Sequence, residues 1–110
     1  NHLLKYKGTT LYPPAIYDVL DNTSYVDNYV VEVSLDENGN DNVLVRAGAK
    51  RLLQFQSEID IIKDLKDKFR AKIRVAPEIE ICSTDEIRKT NFPDISRKPV
   101  KFIDKRHSKK

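Results

Sequence analysis

The chain has 110 residues, of which 39% are hydrophobic and 34% charged, with a formal net charge of +3 and one cysteine. This length predicts one domain with one modest core. The single cysteine excludes an internal disulfide and favours a reducing compartment. No apolar run approaches the roughly 20 residues of a membrane-spanning helix, and the first residues lack the apolar segment of a signal peptide, so we expect a cytoplasmic location.

The first half of the chain predicts strands around a short helix. Residues 3–12 mix apolar and basic side chains around Gly8, which predicts two short strands or one strand bent at the glycine. Pro13 and Pro14 precede apolar residues at helical spacing, which predicts a helix from about Pro14 to Asp21. Alternating apolar residues predict strands at 29–35 and 43–47, joined as a hairpin by a polar turn.

The second half predicts one long helix and one strand, followed by an extended segment. Ser57 before acidic residues and an apolar stripe predicts a helix over 57–72. Alternation over 73–81 predicts a strand with Pro77 at an edge or bulge, and Ser83 or Thr84 caps about one helical turn that ends near Lys89. The order of elements predicts an α+β fold, a small ferredoxin-like sandwich with a mainly antiparallel sheet, helices on one face and an extended C-terminal arm.

Charge divides the chain into two unequal parts. Residues 88–110 hold nine Lys or Arg against two acidic residues, whereas residues 1–87 hold eleven against fifteen. A basic end is typical of a solvated tail or of a segment with an anionic partner. Nucleic acid is one possible anionic partner, but after Pro93 Phe102 is the only Phe, Tyr or Trp on which a base could stack, and no helix-turn-helix pattern is present.

Several kinds of chemistry are excluded by the residues present. His2 and His107 stand at opposite ends, and Cys82 has no predicted neighbouring base, so we expect neither a metal site nor a cysteine nucleophile. Only three glycines occur, and none forms a phosphate-binding loop. If the protein acts on a nucleotide, the main nucleotide site lies elsewhere.

Two separated motifs carry a family resemblance. The opening Lys5-Tyr6-Lys7-Gly8 is followed by Leu11-Tyr12-Pro13, and the closing segment from Lys98 to Arg106 contains Phe102-Ile103-Asp104. Together they resemble the two ends of the C-terminal domain of acyl-CoA ligases that form acyl-adenylates, in particular the phenylacetate-CoA ligases. The resemblance implies that residues 1–110 are one mobile C-terminal domain, whose partner is an N-terminal domain of the same protein that binds ATP and the acid.

The resemblance also implies a reaction and its cofactors. A carboxylate attacks the α-phosphate of ATP in the presence of Mg²⁺ to give an acyl-adenylate and pyrophosphate, and the thiol of coenzyme A then displaces AMP. The small domain presents different faces to the two steps. The acid itself is set by the other domain, and the isolated domain is expected to be inactive.

The resemblance assigns roles to four residues. Lys98 is the expected catalytic lysine of adenylation, where an ammonium stabilises negative charge on phosphate and carboxylate oxygens; Lys101 is its rival. Lys7, Gly8 and Thr9 are expected to bind coenzyme A along the pantetheine path. Two departures are Arg97, where the family has glycine, and Asn1 at the hinge position.

Alternatives remain for each assignment. Lys98 could be one more solvated lysine, and Gly8 could serve only as a bend in a strand. The chain as a whole could be a free-standing ferredoxin-like regulatory or small-ligand-binding module, in which the arm after residue 83 is dispensable. A small nucleic-acid-binding protein is a third possibility, for which binding depends strongly on salt.

Overall fold

The computed structural model describes residues 3–50, 57–93 and 99–106. Their element order is β1 Leu4–Tyr6, β2 Thr9–Leu11, α1 Pro13–Asp21, β3 Val26–Leu35, β4 Asp41–Ala49, α2 Glu58–Ile73, β5 Glu78–Cys82, α3 Thr84–Asn91 and β6 Phe102–Asp104. The predicted α+β class is confirmed. Lys98, Arg97 and Asn1 lie outside the described residues.

Two sheets are present in the described part of the chain. β1 and β2 form a separate antiparallel hairpin, while the other four strands form a sheet in the order β5-β4-β3-β6. The longest ladder is the antiparallel β3–β4 hairpin, flanked on both sides by parallel strands. The predicted opening strand therefore stands apart from the main sheet, and β6 occupies the edge beside β3.

Helices α1 and α2 pack on one face of the main sheet, as predicted. The β1–β2 hairpin packs on the same face, which the sequence did not predict. Alternate residues of β3 and β4 point to this face and are fully buried there, namely Val31, Val33, Val43, Val45 and Ala47. Leu65 and Phe69 of α2 and Ile16 of α1 join the same core. Burial of this apolar surface is the main stabilising contribution to the fold.

The third helix, α3, lies against the opposite face. Asn28 and Gly48 point to that face, and the Asn28 side-chain amide donates to the Thr84 carbonyl oxygen over 3.0 Å. A Cβ on Gly48 would lie 2.9 Å from the Thr84 Cα, so only glycine permits this close approach. Ile87 of α3 is fully buried.

In the C-terminal half, the bounds of the helices and of the strand differ from those expected from the sequence. α2 ends at Ile73, where Arg74 takes a left-handed conformation with φ 75°, and β5 begins only at Glu78, so the predicted strand over 73–81 starts too early. α3 is eight residues long rather than one turn. Ser83 and Glu86 form a complete capping box at its start. Part of the predicted extended arm is thus regular structure. No helix among the described residues is long and apolar enough to span a membrane.

Candidate functional site

The β1–β2 hairpin turns through Lys7 and Gly8, two of the residues assigned to coenzyme A. Both have positive φ, 51° and 77° respectively, as a two-residue type I′ turn requires. Gly adopts this conformation freely, whereas a lysine at positive φ costs about 1 kcal/mol relative to its usual backbone region. The turn therefore keeps a cationic residue where asparagine or glycine would be less strained.

The turn faces open space. Lys7 and Gly8 are exposed and Thr9 is half-buried. Apart from its chain neighbours Lys7 and Thr9, no residue that the structure describes has an atom within 4 Å of the position that a Cβ on Gly8 would take. The Lys7 Nζ lies 5.1 Å from the centroid of the Tyr6 ring, within the range of a cation–π contact. The packing of this domain does not require a glycine at position 8 beyond its backbone conformation, and a ligand could approach the backbone there.

The hairpin behind the turn is fixed by burial. Leu4 is 0% exposed, and Tyr6 and Leu11 are each 3% exposed. Burial, and to a lesser extent the Glu78 charge, raises the pKa of the Tyr6 hydroxyl, so this ring stays neutral. The exposed turn thus stands on a rigid apolar base.

Val100, two residues after Lys98 in the sequence, is hydrogen-bonded to the end of α3. The Val100 amide donates to the Asn91 carbonyl oxygen over 2.6 Å. The Asn91 side chain donates to the Val100 and Tyr29 carbonyl oxygens, over 2.7 and 3.0 Å. Asn91 is 5% exposed. The buried Asn91 amide thus links the end of α3 to β3 and to Val100. The sequence did not predict this connection.

Lys101, the rival lysine, is exposed and lies against two rings of its own domain. Its Nζ is 5.8 Å from the Tyr29 centroid and 6.0 Å from the Tyr17 centroid. The two rings stack with centroids 5.9 Å apart. Lys101 also lines a cleft of about 240 Å³ with residues from α1, β3 and α3. The lysine is therefore held by cation–π contacts within the domain.

The basic residues just beyond β6 are engaged within the domain. Arg106 makes a charge-assisted pair with Asp104 at 2.8 Å and lies 3.3 Å from both oxygens of Asp41. These partners raise the pKa of the Arg106 guanidinium, which stays charged. Lys105 pairs with Glu32 at 3.0 Å. The charge of Arg106 is thus largely balanced within the fold.

Asp41 joins the two ends of the chain. Besides Arg106, its carboxylate accepts the Lys5 backbone N–H over 2.9 Å. Sequence reasoning missed this residue because an aspartate after a polar loop reads as part of the turn. Its contacts are 36 and 65 residues away along the chain, so no local pattern could have revealed them.

The described residues contain no group of three or more His, Cys, Asp or Glu that could hold a metal ion. Cys82 is half-buried. Burial raises the pKa of its thiol and outweighs the opposing influence of Arg46. A thiol with a raised pKa is a poor nucleophile at neutral pH.

Comparison with known proteins supplies the context for these observations. The model of one family, described as the AMP-binding enzyme C-terminal domain, matches residues 8–106. No curated protein sequence matches the chain. The matched range contains Gly8, Thr9 and Lys98.

Solved structures of low identity share the fold. A domain of phenylacetate-coenzyme A ligase from Bacteroides vulgatus ATCC 8482 matches with a TM-score of 0.68 and 15% identity, over 98% of this chain and 96% of that one. 2-Hydroxyisobutyryl-CoA ligase, in complex with 2-HIB-AMP and CoA in the thioesterification state, matches with a TM-score of 0.68 and 15% identity, over 97% of this chain but 22% of that one.

A third match extends the comparison to another group of enzymes. Fatty acyl-adenylate ligases from E. coli and L. pneumophila match with a TM-score of 0.61 and 15% identity, over 90% of this chain and 17% of that one. The chain therefore spans about a fifth of the length of the two ligases that are not single domains. At 15% identity these structural matches show only that the fold is shared.

Proposed function

Because the chain belongs to the family of AMP-binding enzyme C-terminal domains, we propose that it is the C-terminal domain of an ATP-dependent CoA ligase that activates an aryl acid such as phenylacetate. The larger N-terminal domain of the same protein binds ATP and the acid. The family match over residues 8–106 is the observation that carries the proposal. Phenylacetate is named because both terminal motifs resemble those of phenylacetate-CoA ligases, while the acid itself is selected by the N-terminal domain.

The proposed reaction has two steps. A carboxylate oxygen of the acid attacks the α-phosphorus of ATP, and pyrophosphate leaves with the electrons of the broken P–O bond. The sulfur of coenzyme A then attacks the acyl carbonyl carbon, and AMP leaves. Mg²⁺ accompanies ATP at the N-terminal domain, since the described residues offer no cluster that could hold a metal ion.

Lys98 is the proposed catalytic residue of the first step. Its ammonium stabilises the negative charge that gathers on the α-phosphate and carboxylate oxygens in the transition state. Lys98 precedes Val100 by two residues in the sequence, and Asn91 binds the Val100 carbonyl oxygen.

Lys7, Gly8 and Thr9 are the proposed contacts for coenzyme A in the second step. The open space beside Gly8 supports this role, because a pantetheine chain can approach the backbone N–H and C=O groups of the turn. Lys7 supplies a positive charge on the same turn. The isolated domain has neither the ATP site nor the acid site and is expected to catalyse neither step.

The proposal is tested in the full-length ligase by a Lys98→Ala variant. We expect the rate of pyrophosphate release with phenylacetate and ATP to fall about 10²-fold or more, since a charge contact made in the transition state is lost. The second step, started from preformed acyl-adenylate and coenzyme A, should change less than about threefold, because that step does not use Lys98.

Two lysines provide matched controls. Lys89→Ala removes an exposed lysine of α3 and should leave both steps unchanged. Lys101→Ala decides between the two lysine assignments, because a larger loss of the first step in Lys101→Ala than in Lys98→Ala would transfer the role to Lys101. Unchanged pyrophosphate release in the Lys98 variant would refute the assignment. A wild-type ligase that accepts acetate but not phenylacetate would contradict the aryl-acid part of the proposal.

A further inference from the structure

Asp41 stands where three elements meet. Asp41 is the first residue of β4, and its Oδ2 accepts a hydrogen bond from the Lys5 backbone N–H of β1 over 2.9 Å. Both carboxylate oxygens also lie 3.3 Å from Nη1 of Arg106, a residue just after β6. The side chain of Asp41 is 14% exposed and that of Arg106 is 16% exposed. An ion pair so well shielded from water is held more firmly than a surface pair.

Asp41 binds a backbone N–H of the β1–β2 hairpin that does not pair with the neighbouring strand. In the β1–β2 pairing, Tyr6 and Thr9 flank the two-residue turn, and Lys5 is opposite Thr10. Alternate pairs in an antiparallel ladder do not exchange hydrogen bonds, so the Lys5 N–H points away from β2. The Asp41 carboxylate accepts this outward-facing N–H, which attaches the outer edge of the hairpin to the main sheet.

We propose that Asp41 is a positioning residue for the Lys7-Gly8-Thr9 turn in the thioesterification step. This inference rests on the proposed function of that turn. Lys5 precedes Lys7 by two residues, so the hydrogen bond to Asp41 is made within about 7 Å of the turn. Arg106, itself held by Asp104, fixes the orientation of the Asp41 carboxylate. The buried residues Leu4 and Tyr6 keep the hairpin on the core, and Asp41 sets its edge.

The first test measures the contact itself in this chain. Amide hydrogen exchange of Lys5 should accelerate about tenfold or more in Asp41→Ala, because its N–H loses the Asp41 carboxylate as acceptor and becomes open to water. Asp36→Ala is the matched control. Asp36 is a carboxylate at the opposite end of the same β3–β4 connection that accepts two backbone N–H groups and contacts neither β1 nor Arg106. Its loss should leave Lys5 exchange unchanged.

The second test measures catalysis in the full-length ligase. Asp41→Ala should raise the KM for coenzyme A about tenfold when the reaction starts from preformed acyl-adenylate, since small displacements of a binding group cost about this much. Pyrophosphate release should stay within about twofold. Asp41→Asn, which keeps an oxygen that can accept the Lys5 N–H, should restore most of the affinity for coenzyme A. The double variant Arg106→Gln, Asp41→Ala should have the same KM for coenzyme A as Asp41→Ala alone, because both substitutions remove the same contact.

The outcomes separate this inference from the proposed function. Equal loss of both steps in Asp41→Ala, or an unchanged KM for coenzyme A, would overturn the positioning role. If Lys98→Ala and the wild type release pyrophosphate equally, the lysine assignment fails. A wild-type ligase that makes no acyl-CoA contradicts the proposed function itself, whatever the Lys5 exchange rates are.

Discussion

The opening hairpin and the closing strand are both built from three-residue strands, yet they are held by different forces. Leu4, Tyr6 and Leu11 of the hairpin are buried in the apolar core. The residues of β6 are only half-buried. The closing segment is held instead by backbone pairing to β3, by the Asn91 amide and by the ion pairs of Lys105 and Arg106.

The difference has consequences for what each end can do. Apolar burial has no preferred direction and does not depend on the ionisation of any group, so it suits a platform that carries an exposed turn. Hydrogen bonds and ion pairs are directional and depend on charge, so they fix the closing segment only in one arrangement. The hairpin is therefore expected to respond to loss of volume, and the closing segment to loss of single polar atoms.

Leu4→Ala should have the largest effect on the stability of this chain. Leu4 is fully buried, and truncation leaves a cavity, so the free energy of unfolding should fall by about 3 kcal/mol. Chemical denaturation measures it. Leu3→Ala is the control, because Leu3 is 44% exposed, and the change there should be below about 0.5 kcal/mol. Equal effects at the two leucines would contradict apolar anchoring of the hairpin.

Asn91→Ala tests the polar side of the comparison. It removes two hydrogen bonds and leaves two carbonyl oxygens without their donor, so the free energy of unfolding should fall by about 2 kcal/mol. Asn22→Ala, at an exposed residue that donates to Asp18, should cost only a few tenths of a kcal/mol. If denaturation curves of the two variants coincide, the closing segment does not depend on Asn91.

Replacement of Glu32 should have the smallest effect on the free energy of unfolding, and this effect should depend on pH. Burial alone would raise the pKa of its carboxyl, but hydrogen bonds from Lys105 and Arg46 and their charges lower it below the ordinary 4.5. A carboxyl whose pKa is lowered by folding adds stability above its unfolded pKa, and this contribution is lost as pH falls through the folded value.

Glu32→Gln should therefore destabilise the chain by about 1 kcal/mol at neutral pH. As pH falls below 4.5 and through the lowered pKa of the folded state, the curves of wild type and variant should converge, because the wild-type carboxylate then becomes protonated in the folded chain as well. Urea denaturation at several pH values measures this. A difference that is constant from pH 3 to about pH 7 would show that the charge of Glu32 is not involved.

Local sequence signals predicted much of the fold. The Ser57 cap, the acidic first turn and the apolar stripe predicted α2, and alternation predicted the β3–β4 hairpin. Ser83 was recognised as a possible cap, but the length of α3 depends on the burial of Ile87 against the sheet. β6 has three residues and pairs in parallel with a strand about 70 residues earlier, so it carries no periodicity of its own.

Some residues of the candidate site could be predicted from local sequence and others could not. The turn at Lys7 and Gly8 was predictable because glycine between two apolar-containing segments is typical of a bend or hairpin. Asp41 and Asn91 were not, because each acts through contacts that exist only once distant segments meet. The placement of Lys98 stays a prediction, since it falls outside the described residues.

The central claim is that the two ends of the chain serve different steps of one reaction. Gly8→Asn tests it most directly, because asparagine tolerates positive φ and, chain neighbours aside, no atom in the described part of the domain lies within 4 Å of the added Cβ. Gly39→Asn is the matched control, with φ 81° and the same open surroundings in the β3–β4 turn.

Both half-reactions should be measured in the full-length ligase with Gly8→Asn, Gly39→Asn and Lys98→Ala. The account predicts that Gly8→Asn slows acyl-CoA formation from preformed adenylate about tenfold and spares pyrophosphate release, that Lys98→Ala does the reverse, and that Gly39→Asn changes neither. Loss of the same half-reaction in the Gly8 and Lys98 variants would contradict it.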